Sequence, residues 1–287
     1  MMAERNREVG DIDVMSHDWS GLAEMDVKGL YMNMDGILPD AADKFSSVNG
    51  INSNGYAYAY WGNQTGIAYD PAKVDEANLP QTPADFAAFW VANPNMFGFN
   101  YENGGSGPSF YENTLRNLSD ADFTSGTSSP EKIAKLDAGI KFFNDHASHY
   151  IITASNTDSL TRLSDGELSM VAAWEDHLAG LQRKGEVRKD LKFYIPKMGM
   201  NGGGNNVSIP KNAKNKAAAL VFINWLTSAD VQTGFNKQFG SAPMNRKADD
   251  SAALVRADQR ENRVGEAINP FRADMEEYFI EKVILAR

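Results

Sequence analysis

The chain has 287 residues, 42% hydrophobic and 23% charged, a composition typical of a globular protein with one large or two smaller domains. Acidic residues outnumber basic ones by 38 to 28, for a formal net charge of −10, which argues against nucleic acid or an anionic membrane surface as the main partner. The chain contains no cysteine, which excludes disulfides, thiolate metal sites and a cysteine nucleophile.

The start of the chain has no apolar run that could form the core of a signal peptide. The longest apolar helical stretch, Ala217–Leu226, is far shorter than the ~20 residues that cross a bilayer. The first predicted element is a short buried strand at Asp11–Met15, followed by a short helix at His17–Met25. A parallel strand has neighbours on both sides. None is visible upstream, so either this is an edge strand or residues that should precede Met1 are absent.

Tyrosine and alanine alternate along Gly55–Trp61, which predicts a strand with the tyrosines on one face and Trp61 on the other. Gly62–Gly66 is predicted to be a turn and Ile67–Tyr69 a second strand, so that the segment forms a β-hairpin. Two interpretations stay open. The hairpin has only a structural role with an aromatic core face, or Trp61–Thr65 faces a ligand with one aromatic plane and three amide or hydroxyl groups.

A glycine-rich turn, Asn103–Pro108, joins a predicted strand at Met96–Tyr101 to a predicted helix at Ser109–Leu118. Upstream, Thr82 is expected to cap another helix, with proline at its first position. Backbone N–H groups at a helix start can bind a ligand, although many such turns bind nothing. The lysine of a P-loop is absent and Pro108 stands where a nucleophile elbow needs glycine, which argues against both motifs.

A buried apolar strand is predicted at Leu168–Trp174, so Trp174, Glu175 and Asp176 sit at a strand's carboxyl end, where open α/β sheets bind ligands. Only one of the two acids is expected to face a ligand; in the alternative, Trp174 is core and both acids are helix caps. Farther upstream, one amphipathic helix is predicted at Ser129–Ser148. Two histidines at its end are interpreted as a solvated helix terminus rather than a metal site.

Leu191–Ile195 is predicted to be a strand, Met198–Asn206 a long polar loop and Val207–Ile209 a short strand. A helix follows at Asn212–Thr227, and Ser228 caps the next one. The rest of the chain is charged and mostly helical. The side chains of the first of these two helices that are expected to pack inward are Ala218, Val221, Phe222, Trp225 and Leu226.

Several segments together resemble the family 1 extracellular solute-binding proteins of bacterial ABC importers, and within them the thiamine-, polyamine- and iron-type branch and its YnjB-like group. The resemblance spans residues 10–245 and rests on a series of motifs in the expected order. These are Gly10–Val14, Trp61–Tyr69, Leu79–Phe86, Ser164–Trp174, Val207–Ala219, Phe222–Leu226, Ser228–Gln232 and Pro243–Asn245.

The resemblance implies a type II periplasmic binding protein fold, with two α/β lobes joined by a hinge and a solute closed between them. Residues 1–70 and 200–287 would form the first lobe and residues 71–199 the second. Carried over position by position, the expected ligand-binding residues are Trp61, Asn63, Gln64, Gly105, Ser106, Trp174, Glu175, Asn201 and Asn205. No catalytic residue, metal site or cofactor is implied.

The implied function is that of the periplasmic solute-binding component of an ABC importer, a monomer that delivers a small polar or cationic solute to membrane permease subunits. Trp61 and Trp174 would supply planar contacts, and Glu175 or Asp176 would pair with a positive group. The chain departs from the family at its start, because a signal peptide and an opening β-α stretch are missing. We therefore expect the first lobe to be incomplete at its N-terminus.

Three alternatives to this function stay open. The first is an enzyme on the same fold, such as a hydrolase based on Glu175; a thiaminase-type enzyme would need a cysteine. The second is a ferric-ion binder, which in this family has adjacent tyrosines, and none are adjacent here. The third is a truncated remnant that binds nothing.

Overall fold

The computed structural model describes residues 2–19, 21–22, 25–48, 51–255 and 257–287. The chain divides into two compact units. Unit 1 contains Met1–Asn63 and Gly202–Ala253, and unit 2 contains Gln64–Asn201 and Leu254–Arg287. Residues 254–287 were expected in the first lobe, but they lie in unit 2. The physical reason is that their large apolar side chains belong to the core of that unit, namely Phe271, Met275, Phe279 and Val283.

The described strands are β1 (Met15–Asp18), β2 (Ser47–Val48), β3 (Ile51–Asn52), β4 (Tyr58–Tyr69), β5 (Phe97–Asn100), β6 (Ile151–Thr153), β7 (Met170–Trp174), β8 (Lys192–Tyr194), β9 (Met200–Ser208) and β10 (Arg263–Val264). The described α-helices are α1 (Val27–Leu30), α2 (Pro83–Ala92), α3 (Ser106–Leu118), α4 (Pro130–Ala134), α5 (Asp137–Asp145), α6 (Asn156–Ser164), α7 (Glu175–Lys184), α8 (Lys216–Leu226), α9 (Ala229–Phe239) and α10 (Phe271–Phe279). Among the described residues, no helix has the length and apolar character needed to cross a membrane.

The first strand lies four residues later than the sequence predicted. Strand β1 pairs antiparallel with β9, with Met15 opposite Ser208 and Asp18 opposite Asn205. The prediction at Asp11–Met15 is wrong because Asp13 is used elsewhere. Its carboxylate accepts hydrogen bonds from the backbone N and the side-chain amide of Asn215, at 2.7 and 2.8 Å. Asp13 therefore holds the start of α8 instead of entering the sheet.

The predicted hairpin is one continuous strand. Strand β4 runs from Tyr58 to Tyr69 without a turn at Gly62–Gly66. Instead, the two glycines allow other backbone segments to come close to β4. A Cβ on Gly62 would lie 2.6 Å from the carbonyl oxygen of Ala242, and one on Gly66 would lie 2.5 Å from that of Tyr194. The polar loop predicted at Met198–Asn206 is likewise wrong, because most of it belongs to strand β9.

The sheet of unit 2 has a parallel centre, in which β5 pairs with β6 on one side and with β7 on the other. The β4 residues from Thr65 to Tyr69 lie antiparallel to β7, and β8 also pairs with β4. The strands predicted at Met96–Tyr101 and Leu168–Trp174 are confirmed as β5 and β7. Each parallel strand leads directly into a helix: β5 into α3, β6 into α6 and β7 into α7.

The core of unit 2 is dominated by aromatic side chains. Trp90 is fully buried on α2, and its ring centroid lies 5.1 Å from that of Tyr150 and 5.7 Å from that of Phe97. Helix α2 begins as predicted, because Thr82 and Asp85 form a reciprocal capping box. The single helix predicted at Ser129–Ser148 is two helices, α4 and α5, with a break between them.

Helix α8 of unit 1 buries a different face from the one predicted. Val221, Phe222 and Trp225 are 72%, 44% and 55% exposed, respectively. The buried face consists of Ala219, Ile223 and Leu226, so only Leu226 was predicted correctly. Apolar residues surround most of this helix, and a periodicity argument therefore had no polar face from which to choose the direction.

Candidate functional site

Three helices of unit 2 begin at one edge of its sheet. Helices α3, α6 and α7 each follow a strand of the parallel set, β5, β6 and β7. Parallel strands end at a common edge, so the starts of the three helices lie there together. At the start of α3, the backbone N–H groups of Ser106 and Gly107 donate to Asn156 Oδ1 and Asn100 Oδ1. The aligned peptide dipoles of the three helices make this edge electropositive. It is the edge at which an open α/β sheet binds a ligand.

The glycine-rich turn contributes its backbone to this edge. Ser106, the first residue of α3, is fully buried, and its Oγ lies 2.6 Å from Asn156 Oδ1 and 3.1 Å from Asn100 Oδ1. Its hydroxyl therefore joins the starts of α3 and α6 to the end of β5. Gly105 is half-buried, and a Cβ there would lie 3.3 Å from the indole ring of Trp174. Three predicted site residues, Gly105, Ser106 and Trp174, thus come together.

Two further predicted residues belong to a buried polar network behind this edge. Gln64 Nε2 donates to the carbonyl oxygens of Thr65 and Met200, at 2.8 and 3.0 Å. Thr65 Oγ1 donates to the carbonyl oxygen of Asn201 at 2.6 Å, and the Asn201 side-chain oxygen accepts from Asn113 at 2.7 Å. Gln64 and Asn201 are buried, so their side chains hold β4, β9 and α3 together within unit 2.

Glu175, the first residue of α7, is fully buried and forms a bidentate ion pair with Arg260. Its two carboxylate oxygens accept from the Arg260 guanidinium at 3.1 and 3.0 Å. Burial raises the pKa of Glu175 to about 7, against the attraction of Arg260. Arg263 lies close by. Its pKa is lowered by burial and by repulsion from Arg260, whereas attraction to Glu175 acts to raise it. Sequence reasoning missed both arginines, because they lie in a charged C-terminal segment without a motif.

The remaining predicted residues lie in unit 1. The half-buried Trp61 packs against α9, with its ring centroid 5.6 Å from that of Phe235 and 5.3 Å from that of Phe239. Asn63 and Asn205 are also half-buried. Gly204, with a φ of 148°, allows β9 to approach β4, since a Cβ there would lie 2.4 Å from the carbonyl oxygen of Trp61. Trp61 and the β9 segment that contains Asn205 are therefore adjacent within unit 1.

In the part of the chain that the structure describes, no group of three or more histidine or acidic side chains is arranged to hold a metal ion. Of the two histidines considered from the sequence, His146 lies beside the aromatic core of unit 2. The His146 ring contacts Trp90 edge-on at 5.9 Å, and its Nδ1 lies 2.8 Å from the carbonyl oxygen of Phe142.

Known proteins share both the sequence pattern and this architecture. Residues 2–262 match the family model described as bacterial extracellular solute-binding protein. The chain belongs to this family. As such a solute-binding protein, it is 28% identical over 133 residues to the putrescine-binding periplasmic protein PotF of Escherichia coli (strain K12). That match covers 45% of this chain and 32% of PotF, so the chain spans about a third of the length of this relative.

Solved structures of solute-binding proteins show the fold. The spermidine/putrescine substrate-binding protein PotD of Streptococcus pneumoniae superimposes with a TM-score of 0.73 at 14% identity, covering 100% of this chain and 88% of that one. UgpB of Mycobacterium tuberculosis, solved with glycerophosphocholine, gives a TM-score of 0.69 at 19% identity, covering 96% and 84%. The predicted family and type II periplasmic binding protein fold are confirmed. The YnjB-like group stays a prediction.

Proposed function

We propose that this chain is the solute-binding component of a bacterial ABC-type import system. It captures a small polar or cationic organic solute and delivers it to membrane permease subunits. One observation carries the proposal: Gly105, Ser106 and Trp174 meet where three helix starts reach one sheet edge. That edge combines an aromatic plane with polar groups at the helix starts, which is the composition of a small-molecule site. By analogy with its family, the protein acts outside the cytoplasmic membrane.

The proposed site residues have two kinds of role. Trp174 and Gly105 of unit 2 contact the solute. For unit 1, Trp61, Asn63 and Asn205 stay predicted ligand-binding residues. Trp rings offer planar contact that is stronger toward a cation. Four proposed residues are buried, and they act by holding the edge in place: Gln64, Ser106, Glu175 and Asn201. No bond of the solute is broken, because capture needs only a conformation that the solute binds better than the alternative.

Replacing Trp61 or Trp174 by alanine is expected to weaken solute binding at least about tenfold, the effect of removing a central aromatic anchor. Native mass spectrometry of freshly purified protein would first identify a co-purified solute, and a thermal-shift screen would confirm it, since a tight ligand stabilises the folded state. Isothermal titration of the two variants then measures affinity.

Trp225→Ala is the matched control. The substitution is the same, but Trp225 is 55% exposed on α8 and lies outside the proposed site. Its affinity should equal that of the unaltered protein. Unchanged affinity in both the Trp61 and the Trp174 variants would remove the site assignment.

A further inference from the structure

The charged groups at the sheet edge of unit 2 do not offer the negative charge that would bind a polyamine. Glu175, the acid expected to meet a cationic solute, is fully buried and already paired through both oxygens with Arg260. Its charge is therefore matched without any solute. Asp176, the next residue, accepts a hydrogen bond from the backbone N of His177 at 2.9 Å. The helix starts at this edge add positive rather than negative potential.

Arg263 is the second arginine of this edge and has no carboxylate of its own. Its side chain is half-buried. Among the described residues, its guanidinium forms no hydrogen bond or ion pair, and the nearby carboxylate of Glu175 is bound to Arg260. Because this side chain is partly removed from water, an anion placed against its guanidinium would form charge-assisted hydrogen bonds, which are stronger than neutral ones.

The backbone fixes where Arg263 stands. Strand β10 runs parallel to the start of β9, with Arg263 opposite Met200 and Val264 opposite Asn201. The backbone N of Asn201 donates to Ser109 Oγ in the first turn of α3 at 2.8 Å. Arg263 is thus held by the sheet, beside the helix starts, rather than on a free loop. An arginine in such a place is suited to bind a carboxylate or phosphate through two parallel hydrogen bonds.

We propose that the solute carries an anionic group, a carboxylate or a phosphate, which Arg263 binds. The solute is then a zwitterion or an acid, and not a diamine or polyamine. This inference rests on the proposed function and narrows its substrate class; a positive group elsewhere on the solute remains compatible with it.

Compounds of matched size test the charge requirement directly. One series has the same four-carbon chain: 1,4-diaminobutane, 4-aminobutanoate and butanedioate. A second pairs ethanolamine with O-phosphoethanolamine, and glycerol with glycerol 3-phosphate. Thermal shifts at constant ionic strength should appear for members that carry a carboxylate or phosphate and not for their counterparts without one. Stabilisation by the diamine or by ethanolamine, equal to or above that of the acidic member, would overturn the inference and leave the proposed function standing.

The co-purified solute separates the two proposals when no compound of the series binds. A solute found by native mass spectrometry that lacks an acidic group refutes the inference alone, and one that carries such a group supports it. No solute in native mass spectrometry and no shift with any compound would count against the proposed function itself.

Arg263→Gln should lower the affinity for the acidic compound at least about tenfold, as expected for the loss of a charge-assisted pair. Arg263→Lys keeps the positive charge but lacks the planar guanidinium that forms two parallel hydrogen bonds, so it should lose less affinity than Arg263→Gln. Lys189→Gln, at an exposed position of unit 2, makes the same change in charge and should have no effect. Circular dichroism checks that each variant is folded. An Arg263→Gln protein that binds the acidic compound as tightly as the unaltered protein would contradict the inference.

Discussion

Replacing Arg260 by methionine is expected to lower the free energy of unfolding by about 3–5 kcal/mol at pH 8, the usual cost of a buried charge left without its partner. Glu175 is fully buried and receives both of its ion-pair hydrogen bonds from Arg260. Methionine fills a similar volume but cannot donate to the carboxylate. The remaining charge must then be either desolvated or neutralised by a proton.

The stability loss in the Arg260→Met protein is expected to depend on pH, because it depends on the ionisation of Glu175. Burial raises the pKa of Glu175 from 4.5 to about 7 even with Arg260 present. Because the pKa of Glu175 is raised in the folded state, its contribution to the free energy of unfolding is fully present below a pH of about 4.5. That contribution is lost as the pH rises through about 7. Without Arg260 the folded-state pKa is higher still. The variant should therefore be much closer in stability to the unaltered protein at pH 5 than at pH 8.

Urea unfolding followed by circular dichroism at pH 5 and pH 8 measures both differences. The double variant Glu175→Gln/Arg260→Met is the control, because its neutral amide has no charge to bury. It should recover stability at pH 8 relative to Arg260→Met and show a smaller change between the two pH values. An equal loss at both pH values in the Arg260→Met protein would contradict the assignment of a buried carboxylate.

The sequence was most informative where the structure depends on local patterns. Strands β5 and β7 are short, mostly apolar runs, and these runs predicted them. The capping box at Thr82 and Asp85 is likewise a pattern of adjacent residues. Because a parallel strand's carboxyl end is a known ligand position, Trp174 could be placed at the edge before the structure was known.

The failures arise where distant segments decide the outcome. Glycine permits a turn, but it also permits another backbone to come close. At Gly62 and Gly66 the neighbours are Ala242 and Tyr194, far along the chain, so the local sequence could not distinguish a hairpin from a crowded strand. The buried face of helix α8 was predicted wrongly for a related reason. Which of its apolar faces is buried depends on Met34, Val207 and Ile209, which lie in other elements.

The charges of the candidate site show the same limit. Glu175 was noticed because it follows an apolar strand, but its partner Arg260 lies 85 residues away. The segment that contains Arg260 and Arg263 is charged and has no motif, so no spacing rule joins it to β7. An acid at a strand end therefore suggested a cationic ligand, whereas its ion pair within unit 2 changes the charge that the edge presents.

Gly107→Ala is expected to lower the free energy of unfolding by about 3 kcal/mol or more, at the upper end of the cost of overpacking a core. Gly107 is the second residue of α3, and a Cβ there would lie 1.5 Å from the carbonyl oxygen of Asn100. The obstacle is backbone at the end of β5, which has no rotamer to change. The helix start must move away from the strand, and the hydrogen bond from Gly107 N to Asn100 Oδ1 at 3.2 Å is lost with it.

Gly180→Ala makes the same chemical change in α7, where a Cβ would have no atom within 4 Å. Because alanine has the higher helix propensity, this control should gain about 0.5–1 kcal/mol. Urea unfolding of both variants measures the difference, and an unfolding midpoint of Gly107→Ala equal to that of the unaltered protein would contradict the close approach. Since Gly107 lies directly after Gly105 and Ser106, any folded Gly107→Ala protein should also lose solute affinity, whereas Gly180→Ala should keep it. Stability and binding depend here on the same contact, because the distance between β5 and α3 sets the position of the helix start that the solute meets.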